Sequence, residues 1–173
     1  MTSIEPIGPE QRLQVVEATR ECIARAEVIM RRNFTAIPVE FDLTGRAAGM
    51  YCVRQNKRWI RYNPYLFAKY LKENIKETIP HEVAHYIIDQ VYGHFRVKPH
   101  GKEWRELMLS LDVNPRRTCD FDLSGIPQRK QNYHAYACEC TDYQLTRRRH
   151  NKIVRDGIRY YCRHCRQVLL EKA

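Results

Sequence analysis

Across residues 10–34 the apolar positions Leu13, Val16, Ile23, Ala26 and Met30 keep a helical spacing, with charges between them. This predicts one long amphipathic helix that stops before Pro38. Val39, Phe41 and Leu43 then alternate with Glu40 and Asp42, as a strand with one buried face does. Residues 48–53 and 59–62 predict two further strands, joined by a polar turn at 55–57. Asn63-Pro64 is a helix start, Asn as N-cap and Pro at the first helical position, and a short helix follows to about Glu73. Thr78 is the expected N-cap of the next helix, which runs to about Tyr92 and ends at Gly93. A helix over 101–111 follows, opened by His100 and with an apolar face of Trp104, Leu107, Met108 and Leu111. Residues 116–132 lack periodicity and predict an irregular connection. Beyond them the pattern changes to short strands around cysteine pairs.

The pattern predicts an α+β fold: a long N-terminal helix, a small antiparallel sheet and two central helices over residues 1–130, then a smaller module over 131–173. At 173 residues and 43% hydrophobic content the chain has enough material for a real core, which excludes wholesale disorder. No apolar run approaches the 18 or so residues that span a bilayer, and residues 1–9 lack the features of a signal peptide. A cytoplasmic protein without membrane contact is the expectation, nucleoid-associated in a bacterial cell.

The formal charge of +10 is unevenly spread. Residues 129–173 carry 11 Lys+Arg against 4 Asp+Glu, leaving 19 against 16 for residues 1–128. A polyanion contacted mainly by the last quarter of the chain accounts for that split, and nucleic acid is the expected partner. Seven cysteines without a secretory signal argue against a disulfide scaffold. Cys22, Cys52 and Cys119 are scattered and read as small buried apolar residues.

His81-Glu82-Val83-Ala84-His85 is an HExxH motif on the 79–92 helix. Histidines at i and i+4 project from one helix face, so both imidazoles can reach one ion about 2 Å away. Glu82, turned about 100° from His81, stands beside that ion without ligating it. There it can act as general base towards water activated by zinc and return the proton to a leaving amine. The bland reading is two satisfied histidines and a surface glutamate. A catalytic zinc needs a third ligand. Ile88 and Val91 stand where a metzincin pattern requires Gly and His. Glu103, Glu106, His94 and His100 remain, and spacing favours His100 over His94 because His100 opens the next helix.

With Thr-Ile-Pro-His81-Glu-Val-Ala-His85-Tyr followed by His100-Gly-Lys-Glu-Trp, the chain resembles the SprT-like zinc metallopeptidase family, which includes bacterial SprT proteins and the catalytic domain of the DNA-repair protease Spartan. The resemblance covers nearly the whole chain. It implies a zincin-like metallopeptidase domain, zinc held by His81, His85 and His100, and Glu82 as the catalytic glutamate. By the likeness to Spartan it implies DNA-stimulated proteolysis of proteins trapped on or crosslinked to DNA.

Cys138-Glu-Cys140 and Cys162-Arg-His-Cys165 are separated by 21 residues. Two cysteine pairs on short turns bring four thiolates to one tetrahedral, structural zinc, the zinc-ribbon arrangement. His164 or His150 could stand in for one cysteine. The family's ribbon reads roughly YxCxC, RHN, YxCxxC, which falls on Tyr136–Cys140, Arg149-His150-Asn151 and Tyr160–Cys165, with Arg166 where a glycine is common. Arg147, Arg148, Arg149, Lys152, Arg155 and Arg159 are the candidate phosphate contacts. Tyr133, Tyr136, Tyr143, Tyr160 and Tyr161 offer stacking surfaces for unpaired bases, or else fill the ribbon's core. No recognition helix is evident, so DNA binding without sequence preference, single strands included, is expected. The rival readings are a non-enzymatic zinc protein bound to nucleic acid, and a zinc hydrolase of something other than peptides.

Overall fold

The structure, a computed structural model, describes residues 4–94, 96–118, 120–128 and 132–172. The chain divides into two compact units, Met1–Gln128 and Arg129–Ala173.

In the first unit, α1 (Pro9–Met30) is the long amphipathic helix, ending at Arg31 in the left-handed conformation. Val15, Thr19, Cys22, Ile23 and Ala26 are its buried positions. It shares one core with α4 (Ile79–Tyr92) and α5 (Lys102–Ser110), through Ile79, Val83, Ala84, Ile87, Trp104, Leu107 and Met108. The strands β1 (Val39–Glu40), β2 (Gly49–Arg54) and β3 (Lys57–Tyr62) form a sheet in the order β1-β3-β2. It is mixed rather than antiparallel. β2 and β3 form the expected hairpin, but Val39 and Glu40 pair parallel with Ile60 and Arg61. This leaves β2 as an edge strand.

Asn63 caps α2 (Pro64–Lys69) as expected, its side-chain oxygen accepting from the amides of Tyr65 and Leu66. Thr78 does not cap α4. A short helix, α3 (Leu71–Glu73), runs through a π-helical turn, Asn74–Thr78, directly into α4. The buried Asn74 makes this possible. Its amide donates to the carbonyls of Leu66 and Tyr70, and its oxygen accepts from Thr78 Oγ1 at 2.7 Å. The threonine hydroxyl is therefore spent on a side chain one turn back, not on the first amides of α4. His100 precedes α5 rather than opening it: it sits at φ 56° in the turn before the N-cap, Gly101.

In the second unit, β4 (Tyr133–Ala137) pairs antiparallel with β5 (Asp142–Thr146) and with β6 (Leu170–Glu171). The basic stretch between the cysteine pairs is a helix, α6 (Arg147–Asp156), with Thr146 before it and Gly157 at φ 64° closing it. That corrects the expectation of strands alone. Gly157 serves the helix end. Among the described residues no helix is long and apolar enough to cross a membrane. Cys22 is buried as expected, Cys52 is half-exposed on the edge strand, and Cys119 lies outside the described residues.

Candidate metal centre

One turn of α4 separates His81 from His85, and the 93–101 loop returns His100 to the same point. The three Nε2 atoms lie 3.3 Å (His81–His85), 3.0 Å (His85–His100) and 3.0 Å (His81–His100) apart. Imidazoles around one ion at 2.0–2.1 Å place their nitrogens about 3.3 Å from one another. The set therefore fits a single tetrahedrally preferring cation. Three ring nitrogens pointing at one another cannot all be satisfied by shared protons, but a common cation satisfies all three. Burial keeps them neutral. It lowers His81 to about 4 and His85 to about 3, aided in both by the neighbouring imidazoles, and it also lowers His100. Neither His94 nor Glu103 nor Glu106 joins this cluster. His94 instead faces Asp89, Nδ1 to Oδ1 at 3.2 Å.

Trp104 is the platform beneath the three rings. Its centroid is 4.8 Å from His81, 5.5 Å from His85 and 4.7 Å from His100, and its Nε1 donates to the His81 carbonyl at 3.3 Å. The sequence marked it only as a core anchor for α5.

Glu82 is buried, at 6% exposure, and its Oε2 accepts the Tyr51 amide of β2 at 2.7 Å. Burial pushes its carboxyl up to about 7, against the pull of that amide. The strand comes this close because residue 49 is glycine. A Cβ there would stand 2.6 Å from Glu82 Cγ and 2.8 Å from Thr78 Cγ2. Gly49→Ala is accordingly expected to lower stability by about 1–3 kcal/mol through overpacking and to displace the Glu82 carboxylate. Urea unfolding reads the first effect. An unchanged unfolding midpoint would show that the strand has room to move.

Beside the histidines lies a cleft of about 570 Å³, lined also by Gly49, Met50 and Tyr51 of β2 and by Gly93, His94 and the stretch 96–100. Asp89, one turn beyond His85 and also lining the cleft, accepts from Tyr51 Oη at 2.7 Å and from Arg58 Nε. Nothing local in the sequence announces this network, because its members lie 31 and 38 residues apart. Tyr86 is buried and donates its hydroxyl to the Thr35 carbonyl.

In the second unit the sulfurs of Cys138, Cys140, Cys162 and Cys165 lie within 4.8 Å of one another, with Cys138–Cys140 at 3.3 Å and Cys140–Cys162 at 3.6 Å. Thiolates around one tetrahedral zinc stand about 3.8 Å apart, so this set also fits one ion. Neither His150 nor His164 is part of it. His150 stacks on His134, centroids 3.5 Å apart and planes 6° from parallel, with Glu171 Oε1 3.3 Å and 3.6 Å from their Nδ1 atoms. Parallel rings this close cannot both aim in-plane lone pairs at one ion. The trio reads as a latch joining α6, β4 and β6.

Arg147, Arg148, Arg149, Lys152 and Arg155 all lie on α6, and Arg159 follows Gly157. All but Lys152 are exposed. Ile153 turns into the ribbon's core, and the Arg149 guanidinium sits over the Tyr160 ring at 5.7 Å. The tyrosines divide: Tyr136 is core, Tyr143 and Tyr160 pack against it, and Tyr133 and Tyr161 are exposed.

Among known proteins, the SprT-like family profile matches residues 19–123. Curated relatives extend over most of the chain. Protein SprT of Klebsiella pneumoniae (strain 342) is 38% identical over 166 residues, 95% of either chain. Protein SprT of Escherichia coli O157:H7 is 37% identical over 172 residues, 99% of either chain. Protein SprT of Shewanella oneidensis is 35% identical over 153 residues, 88% of this chain and 94% of the relative. No solved structure matches the chain.

Proposed function

Because the chain belongs to the SprT-like family, we propose that it is a zinc-dependent peptidase acting on proteins associated with or crosslinked to DNA. The observation that carries this reading is the meeting of three imidazole nitrogens with a buried, amide-held glutamate at the side of a cleft. His81, His85 and His100 would hold the ion. When bound, zinc supplies Lewis acidity and acidifies water at the site. Glu82 would accept a proton from water at the site and pass it to the leaving amine. The Tyr51 amide fixes the carboxylate's direction. An extended polypeptide would add to the free edge of β2, using backbone hydrogen bonds that any sequence can make. A purely structural metal site has no use for a buried, unligated carboxylate beside it, which favours the enzyme over the non-enzymatic alternative.

The second unit would supply the nucleic-acid contacts, with a structural zinc in the cysteine tetrad and α6 as the basic surface. Helical Arg147, Arg148 and Arg155 suit phosphates along a duplex or a single strand, and exposed Tyr133 and Tyr161 suit stacking.

The test is cleavage of a protein–DNA conjugate by the zinc-loaded chain. Cleavage is expected to depend on DNA. Replacing Arg147, Arg148 and Arg149 with alanine is expected to reduce the slope of log affinity against log salt by about 2–3 units and to remove most of the DNA stimulation. If the zinc-loaded protein cuts no conjugate, or if the triple variant binds DNA with an unchanged salt slope, the corresponding half of the proposal fails.

A further inference from the structure

Each acid lining the cleft already has a hydrogen-bond donor on one of its oxygens. Glu82 accepts the Tyr51 amide, and Asp89 accepts Tyr51 Oη and Arg58 while facing His94. The cations that line the same cleft differ. Arg96-Val97-Lys98 alternates exposed, half-buried, exposed. Val97 packs into the core, which turns its two neighbours outward along the cleft they line. Turns fix the segment at both ends: the Arg96 amide donates to the Gly93 carbonyl, and the Gly101 amide to the Lys98 carbonyl at 2.8 Å. A Cβ on residue 101 would lie 2.8 Å from that same carbonyl, so glycine is what lets the turn close beside His100. Among the described residues neither Arg96 nor Lys98 has a carboxylate within ion-pair distance. Ile88 and Met50 line the same cleft with apolar surface.

Resting on the peptidase reading, we propose that Arg96 and Lys98 make this cleft selective for polypeptide segments that carry Asp or Glu among apolar residues. An acidic side chain finds two cations there without an acid partner, whereas a basic one meets like charge. Discrimination by such a rim comes from attraction of one substrate and repulsion of the other.

The experiment uses the full-length, zinc-loaded Glu82→Gln protein, so that binding is read without cleavage. Two fluorescent peptides of equal length share their apolar residues and differ in carrying Glu or Lys at the remaining positions. The acidic peptide is expected to bind about tenfold tighter at low salt, with the ratio shrinking as salt is raised. Adding Arg96→Glu and Lys98→Glu, with zinc content unchanged, should invert the ratio. The milder Arg96→Gln and Lys98→Gln pair should bring it to about one. Equal binding of the two peptides, or a ratio that ignores both pairs of substitutions, overturns the proposal. So does a charge reversal that weakens single-stranded DNA binding while leaving the peptide ratio alone, since the rim would then be a nucleic-acid contact. Failure of the peptidase reading looks different: the parent cuts neither peptide, yet the ratio and its inversion remain.

Discussion

Glu82→Gln is expected to abolish proteolysis while leaving three histidines competent to bind zinc. Glutamine matches the glutamate in size, and its side-chain oxygen can still accept the Tyr51 amide that now meets Oε2 at 2.7 Å. What it cannot do is take a proton from water. General acid–base catalysis is worth about 10²–10⁴-fold, and Glu82 is the carboxylate that the fold sets beside the histidines. Stability supplies the discriminating sign. The side chain is 6% exposed, and its desolvation already pushes the carboxyl up to about 7. Glutamine removes a charge that the interior tolerates poorly, so the folded protein is expected to be as stable as the parent or more so. A glutamate retained for structure would behave oppositely, its loss lowering stability and sparing rate. Initial rates on a DNA-bound protein substrate, with zinc content and unfolding midpoint measured on the same samples, separate the two. Parental rates in the variant would remove Glu82 from the mechanism.

How much of this was legible in the residues depends on how far each feature reaches along the chain. The α4 site was legible because helix geometry alone brings His81 and His85 onto one face, and five residues carry it. His100 was one of four candidates on spacing, and only the fold shows that the loop returns it, and not His94, to His81 and His85. The π turn was hidden because Thr78 reads the same whether its hydroxyl caps a helix or bonds Asn74. The parallel pairing of β1 with β3 joins Val39 to Ile60, and no local pattern distinguishes it from a third antiparallel strand. α6 was missed for a different reason. Arg147–Asp156 has only two apolar residues, Ile153 and Val154, among five basic ones, so counting apolar positions passes over it. The signals were instead arginines of good helix propensity between Thr146 and Gly157, a start and a stop of the usual kinds. The Tyr51–Asp89–Arg58 network is tertiary throughout and has no sequence signature.

In the second unit, Cys162→Ser is expected to unfold residues 129–173 while leaving α1, α4 and the histidine site intact. The buried cluster of this unit consists of Tyr136, Leu145, Cys162 and Leu169. Four residues make too small a core for a module of this length to fold alone. A structural zinc contributes an apparent 10–16 kcal/mol at neutral pH in modules of this kind, which is enough to make folding and metal binding one event. Cys162 is the cysteine on which this depends most. It is the buried member of the tetrad, its amide donates to the Gln167 carbonyl, and its sulfur accepts from the His164 amide at 3.3 Å and lies 3.2 Å from Tyr143 Oη. The Tyr143 hydroxyl, with the amides beyond it, lowers the thiol to about 5. Serine at that position offers a hydroxyl that stays protonated, and three thiolates hold zinc too weakly to organise the chain around them. The expected result is one zinc fewer per molecule and loss of amide protection across β4, β5 and α6, with α4 still protected. On the proposed function, DNA affinity would fall with the helix that carries Arg147–Arg149, even though every arginine remains. Unchanged protection across 132–172 in the serine variant would mean that the ribbon folds on its own contacts, and the tetrad would lose its role as the module's structural centre.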